Sequence, residues 1–460
     1  MSFIDGQKIQ EIIDNTNTVS DSEFERIISK AKDFKGLSLW EVGVLLNLSD
    51  SSKIEKVLST AKIVKRAIYG SRLVLFAPLY VSNFCSNNCL YCGFRKDNLA
   101  LDRGVLSETS LVQEVKQILV QGHKRVLMLM GEDFSKFSFD KFMEYLKIVY
   151  SVTDDKGSSV RRINVEIPSL DEAQFSRLAK CEIGTYTVFQ ETYHKETYNQ
   201  VHPSGEKADY SWRLNVMDRA LKNGMNDVGI GVLFGLYDFK FEVLSLLMHA
   251  EHLDSTYGVG PHTISVPRIE PVANVPYTKN PPYAVSDEDF KKIVAILRLA
   301  VPYTGLILST RESVALRNEL FSLGVSQISA GSHTEVGGYS DSNPKMGQFT
   351  LNDFRNCDQV MSEVVKQGNL PSFCTACYRK GRVGKDFMDL AKPGLIQDFC
   401  QPNAILTFQE YLTDYGENDL VKVGEDLINE SLSDISTEKR REETLERINR
   451  IKNGERDIYF

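Results

Sequence analysis

The sequence is short of the features that mark several large classes of protein. It has no excess of positive charge: 54 Lys and Arg are outweighed by 62 Asp and Glu, for a net charge of −8 over 460 residues. A nucleic-acid scaffold needs a basic surface to neutralise phosphates, so that class is excluded, and the charge speaks only to solubility. There is no long hydrophobic run. The longest, from Val228 to Tyr237, is glycine-rich and far too short to span a bilayer, so no membrane partner is expected. The opening residues, Met1 to Lys8, lack a basic patch followed by an apolar stretch, so the expectation is a cytoplasmic protein without a secretory signal. No low-complexity segment is present. With 42% hydrophobic and 25% charged residues, disordered and collagen-like chains are excluded too.

What is present is cysteine in clusters. Of the eight, Cys85, Cys89 and Cys92 form a C-x3-C-x2-C triplet, and Cys374, Cys377 and Cys400 form a C-x2-C-x22-C triplet; Cys181 and Cys357 stand alone and are left without a role. A large chain in a reducing compartment needs no disulfide framework, so clustered thiolates point to metal. The first triplet has no nearby fourth Cys or His, which a structural zinc site wants. Three thiolates on a [4Fe–4S] cube leave one iron free to bind a small molecule. The alternatives are a zinc site completed by a remote histidine, or three buried structural cysteines. For the second triplet zinc stays open, because C-x2-C also occurs in zinc ribbons and redox motifs.

The pattern between the triplets reads as a barrel. Residues 1–70 are predicted helical, with Leu45, Leu46, Ile54, Val57, Leu58 and Ala61 near helical spacing. Eight short β-rich runs then alternate with amphipathic helices: 73–81, 125–130, 162–167, 184–189, 228–234, 262–266, 306–309 and 327–329. Such alternation means a parallel sheet, and eight repeats fit a (β/α)8 barrel of α/β class over 71–348. Residues 349–460 form a mostly helical C-terminal domain, ending in a charged helix with Leu445, Ile448 and Ile451 on one face and Lys439-Arg440-Arg441 expected to face solvent. Active sites of such barrels lie at the C-terminal strand ends. That rule collects the first triplet, Gly131-Glu132, Gln190-Glu191, Arg311-Glu312 and Ala330-Gly331-Ser332 on one rim.

The first triplet, with Tyr91 before its last cysteine, resembles the signature of the radical S-adenosylmethionine superfamily. The segments Thr187 to His194, His202 to Gly205 and Gly260 to Arg268 are similar to its tyrosine lyases. Two branches are in question: 2-iminoacetate synthases of thiazole biosynthesis, and maturases of [FeFe]-hydrogenase. The second triplet, in Cys374-Thr375-Ala376-Cys377-Tyr378-Arg379 with Cys400, looks like the auxiliary-cluster motif of the maturases.

The resemblance implies a [4Fe–4S] cluster on Cys85, Cys89 and Cys92 whose open iron binds S-adenosylmethionine, and cleavage of L-tyrosine to p-cresol and dehydroglycine. Dehydroglycine then gives carbon monoxide and cyanide at an auxiliary [4Fe–4S] cluster on Cys374, Cys377 and Cys400. That cluster carries a labile fifth iron with a free cysteine, and the product is an iron–cysteine complex for hydrogenase assembly. The implied partners are L-tyrosine, free cysteine and Fe2+, an electron donor such as ferredoxin or flavodoxin, and hydrogenase maturation scaffold proteins. His262 is the expected histidine ligand of the labile iron, with His333 its rival. Glu132 and Gly131 match the family's Gly-Glu motif for the cofactor ammonium, although Met130 stands where a second glycine is usual. Tyr91, Glu191 and Arg213 are further cofactor contacts. Arg311 is the best carboxylate clamp for tyrosine, because a guanidinium binds a carboxylate bidentately, with Ser309 and Ser329 orienting the amino acid. Besides a 2-iminoacetate synthase, the competing readings are a tryptophan lyase of similar fold, a non-catalytic iron–sulfur carrier or scaffold, and a structural zinc protein.

Overall fold

The structure is a computed structural model that describes residues 2–341 and 345–460. Four helices come first: Gly6–Asn15, Asp21–Ala31, Leu39–Leu46 and Ser51–Tyr69. Each starts where a short polar side chain takes an otherwise orphaned backbone N–H: Asp5, Ser20, Ser38 and Asp50. The last of them buries Val57, Ala61, Val64 and Ile68 and lies against the barrel's outer helix Asp287–Ala300, so the extension clads one flank of the barrel.

The barrel strands are β1 (Arg72–Ser82), β2 (Arg125–Met130), β3 (Arg162–Glu166), β4 (Tyr186–Thr187), β5 (Val228–Gly231), β6 (Thr263–Ser265), β7 (Gly305–Leu308) and β8 (Gln327–Ser329). Every neighbouring pair is parallel, and β1 pairs with both β2 and β8, which closes the ring. The eight runs expected from sequence therefore stand where predicted. Several end earlier than expected: beyond β4 and β5 only isolated bridges persist, Glu191 with Val232 and Phe234 with Arg268. Backbone hydrogen bonds still join the tips, Gln190 N–H donating to the Gly231 carbonyl at 3.0 Å and Leu233 N–H to the Glu191 carbonyl at 2.8 Å.

A ninth strand, β9 (Leu370–Ser372), was not expected. It pairs in parallel with Arg72–Val74 at the start of β1. Three residues with Pro371 in the middle give little strand signal, but proline is tolerated on an edge. The C-terminal helices gather around Gln397–Asp414, which is buried from Gln401 to Leu412. In the final helix, Glu438–Lys452, the inward positions are Thr444, Ile448 and Ile451, while Leu445 is 42% exposed. Thr444 can take the inner place because its hydroxyl donates to the Arg440 carbonyl at 2.6 Å. The basic run is also less solvated than expected: Arg440 lies over the Phe460 ring at 4.3 Å and Arg441 donates to the Leu432 carbonyl.

Candidate active site

The first triplet sits in the loop that leaves β1 at the mouth. The loop can approach β2 closely because residue 131 is glycine: a Cβ there would strike the Phe84 carbonyl. Ser86 fixes the same junction through its N–H and hydroxyl, both donating to the Glu132 carbonyl. The three thiols, with Tyr91, line one cavity, together with Gly131, Glu132, Glu191 and Arg213. The sequence-predicted cofactor residues are thus brought together on one side of the mouth.

Their charges are paired. Arg213 donates from Nη1 to Glu132 Oε1 at 2.8 Å and from Nε to the Phe189 carbonyl at 2.9 Å. Asn87 donates to the other Glu132 oxygen at 3.1 Å. Lys207 Nζ lies 2.6 Å from Glu191 Oε1 and 3.9 Å from Glu132 Oε1. Burial alone would raise the Glu132 carboxyl, but Arg213 and Lys207 overcome it and hold the group below its ordinary value. Glu191 has the left-handed backbone φ of 70°, a strain met at functional sites. Tyr91 turns its hydroxyl to His202 Nε2 at 2.7 Å.

Deeper in the barrel is a second cavity. It shares Glu166 and Gln348 with the first and is lined by Ser309, Arg311 and Ser329. The Arg311 guanidinium stacks on Phe349 at 3.4 Å and, among the described residues, has no salt-bridge partner. A half-buried guanidinium with no salt bridge, facing a cavity where Glu166 is the carboxyl group, is suited to an anionic ligand. Glu166 is held neutral more strongly than usual: burial first, then Glu191, pushes its carboxyl up to about 7.

The second triplet lies at the opposite end. Cys374 follows β9, Cys377 lies in the short helix Ala376–Arg379, and Cys400 in Gln397–Asp414. His262, just ahead of β6, meets this region: its Nε2 is 3.3 Å from the Tyr378 hydroxyl and its ring centroid 4.4 Å from that of Phe387. Its Nδ1 is 3.4 Å from Asp227 Oδ1. The Tyr378 ring sits against the Arg162 guanidinium at 3.9 Å, with Arg125 donating to its hydroxyl. His333 instead follows β8 at the mouth, 3.0 Å from Glu335, at the far end of the barrel from these cysteines.

Three thiols lining one cavity at the mouth are a donor set that suits an iron–sulfur cluster. Among the described residues, no group of three or more Cys, His, Asp or Glu side chains is arranged around a single-ion position. Burial raises the Cys85 thiol to about 11 and pushes Cys89 and Cys92 up as well. Burial, then Cys400, raises Cys374 to about 11. Within the hydrogen-bonded pair Cys377 and Cys400, Cys377 keeps its proton. Cys400 gives its proton up more readily, because Cys377 donates to it and, against burial, Arg72, Arg382 and His262 face it. Apart from Cys400, these thiols hold their protons firmly, and a metal must displace those protons to bind.

Lys207, Asn87, Glu166, Tyr80 and Gln348 line these cavities and were not found from sequence. Lys207 lies two residues beyond the His202-Pro203-Ser204-Gly205 segment, which was the one available signal. Gln348 lies in an irregular stretch that carried none.

Comparison with known proteins places the chain. Residues 79–247 match the radical SAM superfamily and residues 265–369 the biotin and thiamin synthesis associated domain. The chain is 30% identical to 2-iminoacetate synthase of Escherichia coli (strain K12), covering 75% of this chain and 89% of that protein. It superposes on a crystal structure of HydG, a maturase of the [FeFe]-hydrogenase, with a TM-score of 0.96 and 47% identity over 100% of both chains. The FeFe-hydrogenase maturase HydG from Carboxydothermus hydrogenoformans gives a TM-score of 0.84 and 40% identity over 97% of both. No helix among the described residues is long and apolar enough to cross a membrane.

Proposed function

Because the chain belongs to the radical SAM superfamily, in the HydG family of [FeFe]-hydrogenase maturases, we propose that it is a tyrosine lyase. In this reading it cleaves the Cα–Cβ bond of L-tyrosine to p-cresol and dehydroglycine. It then converts dehydroglycine to carbon monoxide and cyanide, delivered on iron with a free cysteine to the hydrogenase maturation scaffold. When bound, the [4Fe–4S] cluster and S-adenosylmethionine supply the one-electron chemistry that generates a 5′-deoxyadenosyl radical, the electron coming from a ferredoxin or flavodoxin.

The chain's own residues bind, orient and shield. Cys85, Cys89 and Cys92 would hold the [4Fe–4S] cluster. Glu132, kept ionised by Arg213 and Lys207, accepts the cofactor's ammonium, and Gly131 lets the strand end approach. Tyr91, Glu191 and Arg213 complete the wall around the cofactor. Arg311 clamps the tyrosine carboxylate, Ser309 and Ser329 orient its amino end, and the enclosing barrel excludes water. At the floor, Cys374, Cys377 and Cys400 would hold the auxiliary cluster, and His262 with a free cysteine would hold the labile Fe2+.

The observation that carries this reading is the second cysteine triplet beside His262, at the far end of the barrel whose mouth bears the first. The experiment is anaerobic reconstitution with iron and sulfide, followed by assay of p-cresol, cyanide and carbon monoxide from tyrosine. All three products are expected. A chain that made p-cresol alone would be a 2-iminoacetate synthase, the second reading, favoured by its 30% identity to that enzyme. A chain that made no deoxyadenosine would be an iron–sulfur carrier.

A further inference from the structure

The segment that crosses the mouth after β8 is threaded against the cysteine loop at one point. Gly93, the residue after Cys92, donates its N–H to the Gln348 carbonyl at 2.9 Å. A Cβ on Gly93 would come within 2.6 Å of the Gly347 carbonyl and 2.7 Å of the Gln348 carbonyl, so only glycine allows the two backbones to meet. From this anchor the Gln348 side chain extends between the cofactor cavity and the barrel cavity and lines both. Its Oε1 accepts the Tyr80 hydroxyl at 2.7 Å, and its Nε2 is directed at Cys92 Sγ, 3.9 Å away. The chemistry fixes this orientation: a thiolate only accepts, so the reversed amide would set a carbonyl against the sulfur and leave the Tyr80 hydroxyl without its acceptor.

We infer that Gln348 is a positioning residue that sets the reduction potential of the cluster on Cys85, Cys89 and Cys92, through an N–H···S hydrogen bond to Cys92 that Tyr80 holds in place. The inference rests on the reading that these cysteines hold an iron–sulfur cluster, and on no other part of the proposed function. Reduction adds negative charge that spreads onto the ligand sulfurs. A donor aimed at one of them favours the reduced form and raises the potential. The Phe94 backbone N–H, 3.4 Å from the same sulfur, is a second donor that no side-chain substitution removes. Gln348 is therefore the adjustable half of the pair.

The test uses the reconstituted full-length protein, with the midpoint potential read by a redox titration of the electron paramagnetic resonance signal that S-adenosylmethionine perturbs. That criterion separates the mouth cluster from any at the floor. Gln348→Met keeps the length and removes the donor; Gln348→Glu keeps the shape and puts a carboxylate beside the sulfur. The midpoint is expected to move negative in Gln348→Met and further negative in Gln348→Glu, at wild-type iron and sulfide content. Tyr80→Phe removes only the hydroxyl that holds the amide. It moves the midpoint the same way by less, and it stands in if the Gln348 variants fail to fold. A wild-type midpoint in Gln348→Met, or in Tyr80→Phe in its place, overturns the inference and leaves the cluster reading intact. A wild-type chain with no signal responsive to S-adenosylmethionine overturns both.

Discussion

The cysteine triplets at the mouth and at the floor of the barrel are equal in number and opposite in construction. At the mouth, one loop after one strand carries all three, and the surrounding carboxylates Glu132 and Glu191 are matched by Arg213 and Lys207. At the floor, the cysteines come from two separate places, the turn after β9 that carries Cys374 and Cys377 and the helix that carries Cys400, and His262 arrives from the barrel to join them. Cations dominate there. Arg72 and Arg382 face Cys400, while Arg125 and Arg162 flank Tyr378 with their Nε atoms buried and, among the described residues, unpartnered. The mouth is a local site that needs only a strand end to display it. The floor is a tertiary site that exists only when β9 has docked on β1. Damage at the floor should therefore leave the mouth working, whereas the reverse cannot hold if the floor consumes what the mouth makes.

The largest effect tests that asymmetry directly. Cys92→Ser should reduce deoxyadenosine, p-cresol, cyanide and carbon monoxide all to background in assays on reconstituted protein. Cyanide surviving without p-cresol would break the order of the two sites. Next, Cys374, Cys377 and Cys400 replaced together by Ser should abolish cyanide and carbon monoxide yet spare p-cresol. Loss of p-cresol as well would mean that the floor supports the mouth structurally. His262→Ala should remove the labile iron, measured by metal analysis, together with carbon monoxide output, while the four-iron signals remain; unchanged iron would sink the assignment. Arg311→Lys loses the bidentate contact and should raise KM for tyrosine by about 10- to 100-fold, since hydrogen bonds to charged groups are worth about 1.5–3 kcal/mol. An unmoved KM would rule the clamp out.

The smallest effect concerns stability. The Glu166 carboxyl titrates at about 7 in the fold, because burial, then Glu191, resists its ionisation, against an ordinary 4.5 when unfolded. A folded value above the unfolded one gives stability that is fully present below pH 4.5 and lost as the pH rises through about 7. The melting temperature of the Glu166→Gln variant should accordingly gain on wild type across that window. A difference curve flat with pH would mean that Glu166 keeps an ordinary carboxyl.

The same contrast explains what was legible in the sequence. β2 runs where expected, 125–130, because a buried parallel strand announces itself as a continuous apolar run; β8, Gln327-Ile328-Ser329, has one apolar residue and is legible only as the eighth member of the alternation. The mouth triplet is legible because its spacing lies within one loop. β9 is not, being three residues long with Pro371 at its centre and defined by pairing with β1 rather than by composition. Lys207 and Gln348 are not, because a single polar residue in a loop looks the same whether it faces water or Cys92. Tyr378 stands in the sequence only as one residue of the Cys374–Arg379 motif. Its place among His262, Arg125 and Arg162 required the C-terminal domain to fold back under the barrel.

One strand ties the two sites together. β1 begins at Arg72, where β9 leads to Cys374, and ends at Ser82, three residues before Cys85. At about 3.3 Å per residue its length is roughly 33 Å. On the proposed function it would serve as a ruler that keeps the two clusters apart. An electron delivered at the mouth to start radical chemistry would not drain to iron at the floor, and each end could be reduced, loaded or poisoned on its own schedule.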